Sequence, residues 1–188
     1  MSDATPLKVV SLLGSLRKGS YNAMLARTLP ALAPPDMTIT PAPSIRDLPF
    51  YDADLQAQGF PAAVTALAGA ISAADGVIIV TPEYNYSIPG VLKNAIDWVS
   101  RRSPQPFAAK PVALASASMG ALGGARSQYH LRQVMVFIEA YVLNRPEVMV
   151  PTVQSKVDGE KGEITDGPTR DLIAAELKAF AAFIRRLS

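Results

Sequence analysis

Apolar residues along this chain fall into two alternating textures. Short runs of consecutive branched residues, LKVVSLL at 7–13 and DGVIIVTP at 75–82, lack the polar alternation of a half-exposed strand and predict strands covered on both faces. Between such runs lie longer stretches whose apolar positions recur every three or four residues. These predict helices at 22–33, 62–74, 90–100, 124–140 and 169–187. In the first helix Ala23, Leu25, Ala26 and Leu29 lie on one side, and Pro34-Pro35 stops it. MTITPAP at 37–43 is a weaker strand near a sheet edge, because Pro41 and Pro43 bring no ladder donor. KPVALASAS at 110–118 and VLNRPEVMV at 142–150 supply two more strands. A proline-rich loop runs to about residue 61, and KVDGEKGEITDG at 156–167 reads as a polar, hairpin-like stretch. Neither a repeat nor a linker interrupts the pattern, so residues 1–188 are expected to form one domain. Five strands alternating with helices predict an α/β fold of three layers with a parallel sheet and right-handed crossovers.

Ligands of such folds bind outside the carboxyl ends of the strands. That rule selects the loops GSLRKGSYN at 14–22, PEYNYSIPG at 82–90 and SMGALGG at 118–124. Each exceeds the roughly 2 to 6 residues usual for connections in α/β units, which marks a functional face. The plain alternative is that the loops merely turn the chain. In the first, unpaired N–H groups at a helix start favour an anion. Gly14 and Gly19 are spaced as in a nucleotide triphosphate loop, but Ser20 stands where such a loop needs lysine. Leu16 breaks the dinucleotide pattern G-x-G-x-x-G. A lone phosphomonoester remains, for which Ser15, Ser20 and Asn22 offer side-chain donors and Arg17 a charged fork; Ser20 or Asn22 would also serve as a simple helix cap. The second loop holds Tyr84, Tyr86, an amide and two prolines, a rigid wall suited to a flat heterocycle, although its tyrosines would equally cap the core or face a partner subunit. The third permits close backbone approach at Gly120, Gly123 and Gly124 beside Ser118. One phosphate and one planar ring describe flavin mononucleotide, FMN.

Composition excludes several other chemistries. With 188 residues, 49% apolar and 18% charged, the chain is ordinary globular material. The start MSDATPLK resembles no signal peptide and no apolar run approaches the roughly 20 residues of a membrane span, so a soluble cytoplasmic protein is expected. There is no cysteine, which removes thiol nucleophiles, disulfides, iron–sulfur clusters and zinc ribbons, and leaves any redox chemistry to a borrowed cofactor. Net charge is +2, with basic pairs only at Arg101-Arg102 and Arg185-Arg186, too dispersed for a nucleic-acid stripe. The sole histidine, His130, and the YDAD acids Asp52 and Asp54 do not make a metal site. A serine hydrolase built on Ser118 fails as well: Ser116 replaces the elbow glycine, and His130 precedes any plausible triad acid.

The segments GSLRKGSYN, TPEYNYSIPGVLKNAIDW and SMGALGGARSQYHLRQV resemble, in order, the three signature segments of the NADPH-dependent FMN reductase family, within the flavodoxin-like superfamily. The likeness is greatest to its bacterial quinone and chromate reductase branch and spans nearly the whole chain. It implies a five-stranded flavodoxin-like sheet of order 2-1-3-4-5, bound FMN, and ping-pong hydride transfer from NADPH or NADH. The acceptors implied are quinones and related compounds such as chromate, azo compounds or free flavin. Carried over by position, Ser15, Arg17, Ser20 and Asn22 would hold the phosphate. Pro82, Glu83, Tyr84 and Asn85 would edge the ring, and Ser118 and Gly120 would line its other margin. No side chain is expected as an essential acid or base. Similar proteins form homodimers or homotetramers, which the apolar Val134, Met135, Phe137 and Ile138 would suit, as they would an inward helix face. Arg126, Tyr129 and Glu147 are candidates for bridging subunits. The alternative function is a flavodoxin-type electron carrier without a substrate pocket, although such carriers are typically acidic and this chain is slightly basic.

Overall fold

A computed structural model describes residues 5–188. Its centre is the strand the sequence marks most clearly: β3 (Gly76–Val80) is buried at every position. It lies between β1 (Leu7–Leu13) and β4 (Pro111–Ala117), and every pairing in this sheet is parallel. Beyond β1 lies β2 (Met37–Pro41), an edge strand as its prolines predict, so the order is β2-β1-β3-β4-β5. This is the predicted flavodoxin-like order, with one difference at the far edge. There the fifth strand is split into β5 (Tyr141–Val142) and β6 (Val148–Val150), both of which pair with β4. The intervening residues leave the ladder around Pro146, which has no N–H to contribute; there Arg132 donates to the Leu143 carbonyl at 3.1 Å, and Gln128 donates to the carbonyl of Val148, the first residue of β6, at 2.8 Å.

Helices cover both faces, which is why the strands read as continuous apolar runs. One face packs α1 (Tyr21–Leu32) and α6 (Gly167–Leu187) around Leu25, Leu29, Ile173, Leu177, Phe180 and Ile184. The other packs α3 (Ala62–Ala73), α4 (Gly90–Val99) and α5 (Ala125–Phe137) around Leu67, Ile71, Leu92, Ile96, Leu131 and Met135. Val134 packs partly buried against this second core while Met135 and Ile138 are buried in it, so they serve the inward face; Phe137 is 81% exposed and points away.

One helix arises where only loop is predicted, and the hairpin-like stretch forms as expected. Asp52 accepts the Asp54 N–H at 2.8 Å and caps the short α2 (Ala53–Ala57), too brief for a periodic pattern. The polar stretch closes as a hairpin of β7 (Val157–Asp158) and β8 (Glu163–Ile164), held to α1 by Arg27 on the Gly162 carbonyl and the Ile164 N–H on Thr28. Among the described residues no helix is long and apolar enough to cross a membrane.

Candidate functional site

The carboxyl ends of β1, β3 and β4 bring the three selected loops to one edge of the sheet. In the first, the two glycines do different work. A Cβ at Gly14 would lie 3.0 Å from both Leu92 and Thr81, so a side chain here would have to displace one of them. Gly19 takes φ 64°, in the left-handed region, and closes the turn in which the Ser20 N–H donates to the Arg17 carbonyl at 3.2 Å. Ser20 then caps α1 by accepting the Ala23 N–H at 3.3 Å, leaving its O–H free to donate. The N–H groups of Tyr21 and Asn22 in the first turn have no partner among the described residues, nor does the hydroxyl of the buried Ser15. Together they form a cradle of donors at the positive end of a helix. Arg17 is exposed above it, with its guanidinium 5.5 Å from the Tyr21 ring centroid, and Lys18 is exposed beside it.

Asn22 behaves differently from its neighbours. Its Nδ2 donates to the Ala117 carbonyl at 2.9 Å and its Oδ1 accepts the Ala117 N–H at 2.9 Å. The amide side chain is wholly spent on joining α1 to the end of β4, and only its backbone N–H faces the cradle.

The second loop leaves β3 through the buried Pro82, whose carbonyl accepts from Thr81 at 3.0 Å. Glu83 does not project toward the loop rim: its Oε1 accepts Arg126 Nη1 at 3.0 Å and its Oε2 accepts the Arg126 backbone N–H at 3.1 Å. Tyr84 and Ser87 close a two-residue turn, and Tyr84, Asn85 and Tyr86 at its tip are exposed. In the third loop Ser118 Oγ accepts the Gly120 N–H at 3.1 Å, and the exposed Met119 and Leu122 leave apolar surface beside it.

A fourth loop completes this margin and carries no composition that would mark it in the sequence. After β6 the chain turns at Thr152, a β-branched residue at φ 46°, a conformation costing about 1 to 3 kcal/mol. The turn lets the Val153 N–H reach the Ser118 carbonyl at 3.1 Å and the Thr152 N–H approach that of Gly120 at 3.4 Å. The Ser118 N–H in turn donates to Val150 at 3.0 Å. The loop opposite β4 is therefore tied down on both sides of Ser118.

Two kinds of space adjoin the loops. An apolar cavity of about 430 Å³ lies between α1 and β2, lined by Ala26, Pro30, Ile39, Pro41 and Ile45, and touches the cradle only through Ser15 and Leu16. It lies behind the phosphate loop rather than over the ring loops. The ring loop instead borders two open depressions toward α5, of about 540 and 410 Å³, which share His130 and Gln133. His130 Nδ1 lies 3.0 Å from Ser87 Oγ, so this histidine belongs to the loop's support and not to a triad. No group of acids or histidines able to hold a metal occurs among the described residues. Arg126, Tyr129 and Glu147 find partners within the chain, Arg126 on Glu83 and Tyr129 on Glu147 at 3.4 Å, with Arg132 also 3.5 Å from Glu147.

Comparison with known proteins agrees with this geometry. The sequence profile of the NADPH-dependent FMN reductase family matches residues 7–155, and the chain belongs to that family. It is 59% identical over 182 residues to a quinone reductase of Escherichia coli, covering 96% of this chain and 97% of that one. It is 48% identical over 187 residues to an NAD(P)H-dependent FMN reductase of Pseudomonas aeruginosa, covering 100% and 99% of the two chains. Among solved structures, the flavoenzyme NAD(P)H:(acceptor) oxidoreductase FerB of Paracoccus denitrificans superimposes with a TM-score of 0.85 at 33% identity, covering 96% of this chain and 98% of that one.

Proposed function

From membership of the NADPH-dependent FMN reductase family, we propose that this chain is an FMN-dependent NAD(P)H:quinone oxidoreductase whose cofactor lies across the three strand-end loops. The observation that carries the reading is the cradle of unpaired donors at the start of α1, formed by Ser15, the Ser20 hydroxyl and the Tyr21 and Asn22 amides, in a chain 59% identical to a quinone reductase. These groups suit a phosphomonoester, and Arg17 adds a guanidinium from the rim. Pro82, Tyr84, Asn85 and the backbone of Glu83 border one side of the ring, and Ser118 and Gly120 the other.

FMN, when bound, supplies two-electron redox chemistry, taking hydride from NAD(P)H and passing it to the acceptor. The protein's share is to bind and orient. The phosphate cradle fixes one end of the cofactor, the ring loops fix the other, and the open depressions beside α5 leave room for a flat reductant or acceptor to lie against them in turn. A quinone that receives two electrons takes up two protons to become a hydroquinone. Beyond the hydride itself this leaves one proton, which solvent in the open depressions can supply.

The reading includes a cytoplasmic homodimer or homotetramer. Supporting assembly, Tyr129, Val136, Phe137 and Tyr141 leave apolar surface along and just after α5. The purified protein titrated with FMN and then with NADPH under anaerobic conditions tests the function. Rapid bleaching of bound flavin, followed by reoxidation on adding a quinone, is expected. Bound flavin whose spectrum NADPH leaves unchanged refutes the enzyme.

A further inference from the structure

Residues 84–87 form the tightest turn of the site. The Ser87 N–H donates to the Tyr84 carbonyl at 3.0 Å, and the Tyr84 N–H to the Ser87 carbonyl at 2.9 Å. Both central residues have positive φ, Asn85 at 49° and Tyr86 at 67°, the backbone of a type I′ turn. Asn85 suits its position. Tyr86 stands where glycine is the ordinary choice, and its Cβ strains the left-handed conformation. Within the chain the Tyr86 side chain is 65% exposed, so packing against the subunit's own core does not hold it there.

The restraint lies on α5. The Arg126 guanidinium carbon is 3.7 Å from the centroid of the Tyr86 ring. Glu83 aims that guanidinium, since one carboxylate oxygen takes Arg126 Nη1 and the other takes the Arg126 backbone N–H, at the positive end of the helix. One helical turn on, His130 clips Ser87 on the far side of the same turn. Arginine is the residue able to stack a planar face on the ring while giving its edge to a carboxylate.

We propose that Arg126 is a positioning residue of the flavin site: aimed by Glu83, it holds Tyr86 in its left-handed conformation and so fixes where Asn85 stands against the edge of the flavin ring. This rests on the reading that residues 82–85 border FMN. Arg126 acts on the cofactor without touching it, through the backbone of the turn. Edge contacts tune the electronics of a bound flavin, so displacing the turn shifts its spectrum and potential as well as its affinity.

A double-mutant cycle tests the inference with wild type, Arg126→Ala, Tyr86→Gly and the double variant. Tyr86→Gly removes both the strained φ and the ring that Arg126 covers. Amide exchange at Tyr84 and Ser87 is read in FMN-stripped protein, and FMN affinity and flavin potential in the loaded protein. Arg126→Ala should speed exchange and weaken FMN about fivefold to tenfold, with a shifted potential, and the same change in the Tyr86→Gly background should cost under about twofold. Equal effects in both backgrounds, or none in either, overturn the inference. If Arg126→Ala fails to fold, Arg126→Lys, which keeps the charge for Glu83 but not the planar face, should show the same coupling at smaller size. A wild-type protein that takes up no FMN overturns the underlying reading and this inference with it, whereas FMN binding with uncoupled variants overturns the inference alone.

Discussion

Replacing Glu176 with glutamine should make the protein more stable at neutral and alkaline pH and leave it nearly unchanged in acid. Glu176 lies in the middle of α6, only 2% exposed, against the split edge of the sheet. Its Oε2 has no hydrogen-bond partner, and neither do Arg132 Nε and Gln128 Oε1, which are also buried. Burial pushes its carboxyl from the usual 4.5 up to about 8, and the Val148 amide and the Arg132 charge offset this only in part. The native state therefore holds a proton that the unfolded chain gives up.

The sign follows from that proton. Below about pH 4.5 both states are protonated and the group costs no ionisation energy. As pH rises toward about 8 the unfolded chain ionises while the native state does not, so the native state binds more protons and loses stability. Above about 8 both are charged and the loss levels off. At about 1.36 kcal/mol for each unit the loss has a ceiling of about 5 kcal/mol, and relaxation around the carboxylate brings the expected difference to about 2 to 4 kcal/mol. Glutamine keeps the volume and the acceptor facing Val148 but never ionises. Urea unfolding of both FMN-saturated proteins at pH 5, 7 and 8.5 should show a gap that opens with pH, worth on the order of 5 to 10 °C in Tm at the alkaline end for a chain of this size. Asp158 and Asp166, half-buried carboxyls held below their usual range chiefly by hydrogen bonds accepted from Lys161 and Thr169, are common to both proteins and cancel in the comparison. A gap constant to within about 0.5 kcal/mol across that range refutes the buried neutral carboxyl.

Other expectations concern the cradle and the assembly. Arg17→Ala should weaken FMN by about tenfold to a hundredfold, the range of a hydrogen bond to a charged group, Lys18→Ala far less, and riboflavin should ignore both; an equal Arg17 effect on riboflavin and FMN removes the loop from the phosphate. Asn22→Ala should cost about 2 to 4 kcal/mol of global stability in urea unfolding by orphaning both polar groups of Ala117, and a loss confined to FMN affinity contradicts the bridge. Light scattering at micromolar concentration should give a dimer or tetramer; a monomer refutes the assembly.

Strand and helix positions were readable because both faces of the sheet are covered, so burial imposes its period on the sequence directly. The three loops were readable because glycine, hydroxyl and amide residues cluster where a chain must leave a parallel strand and enter a helix. The remainder depends on partners distant in sequence. Nothing near Asn22 indicates that its amide closes on Ala117, 95 residues away. The loop after β6 matters only because it meets Ser118 and Gly120 in space, and α2, five residues long, is less than two helical periods and leaves no recurring apolar pattern. The split of the last strand falls around Pro146, where Arg132 reaches the Leu143 carbonyl and Gln128 that of Val148, 11 and 20 residues away in sequence.

Asn22 and Glu83 share a further property. Both are polar residues in the loops proposed to hold flavin, and in both every side-chain polar atom is engaged by protein, on Ala117 and on Arg126. Ser20 and Ser118 spend an acceptor site in the same way, on the Ala23 and Gly120 amides. The site accordingly offers a ligand mostly backbone donors and hydroxyl protons, while side chains are used to fix the backbone. Truncating such a side chain acts by moving a loop, so its effects should reach stability and affinity together. Arg17 is the contrast: exposed, anchored only by a stack on Tyr21, and with no ion-pair partner among the described residues. Its removal should therefore change affinity and leave the unfolding midpoint of the FMN-free protein where it was. If Arg17→Ala lowers that midpoint as Asn22→Ala does, the division between residues that shape the site and residues that hold its ligand fails.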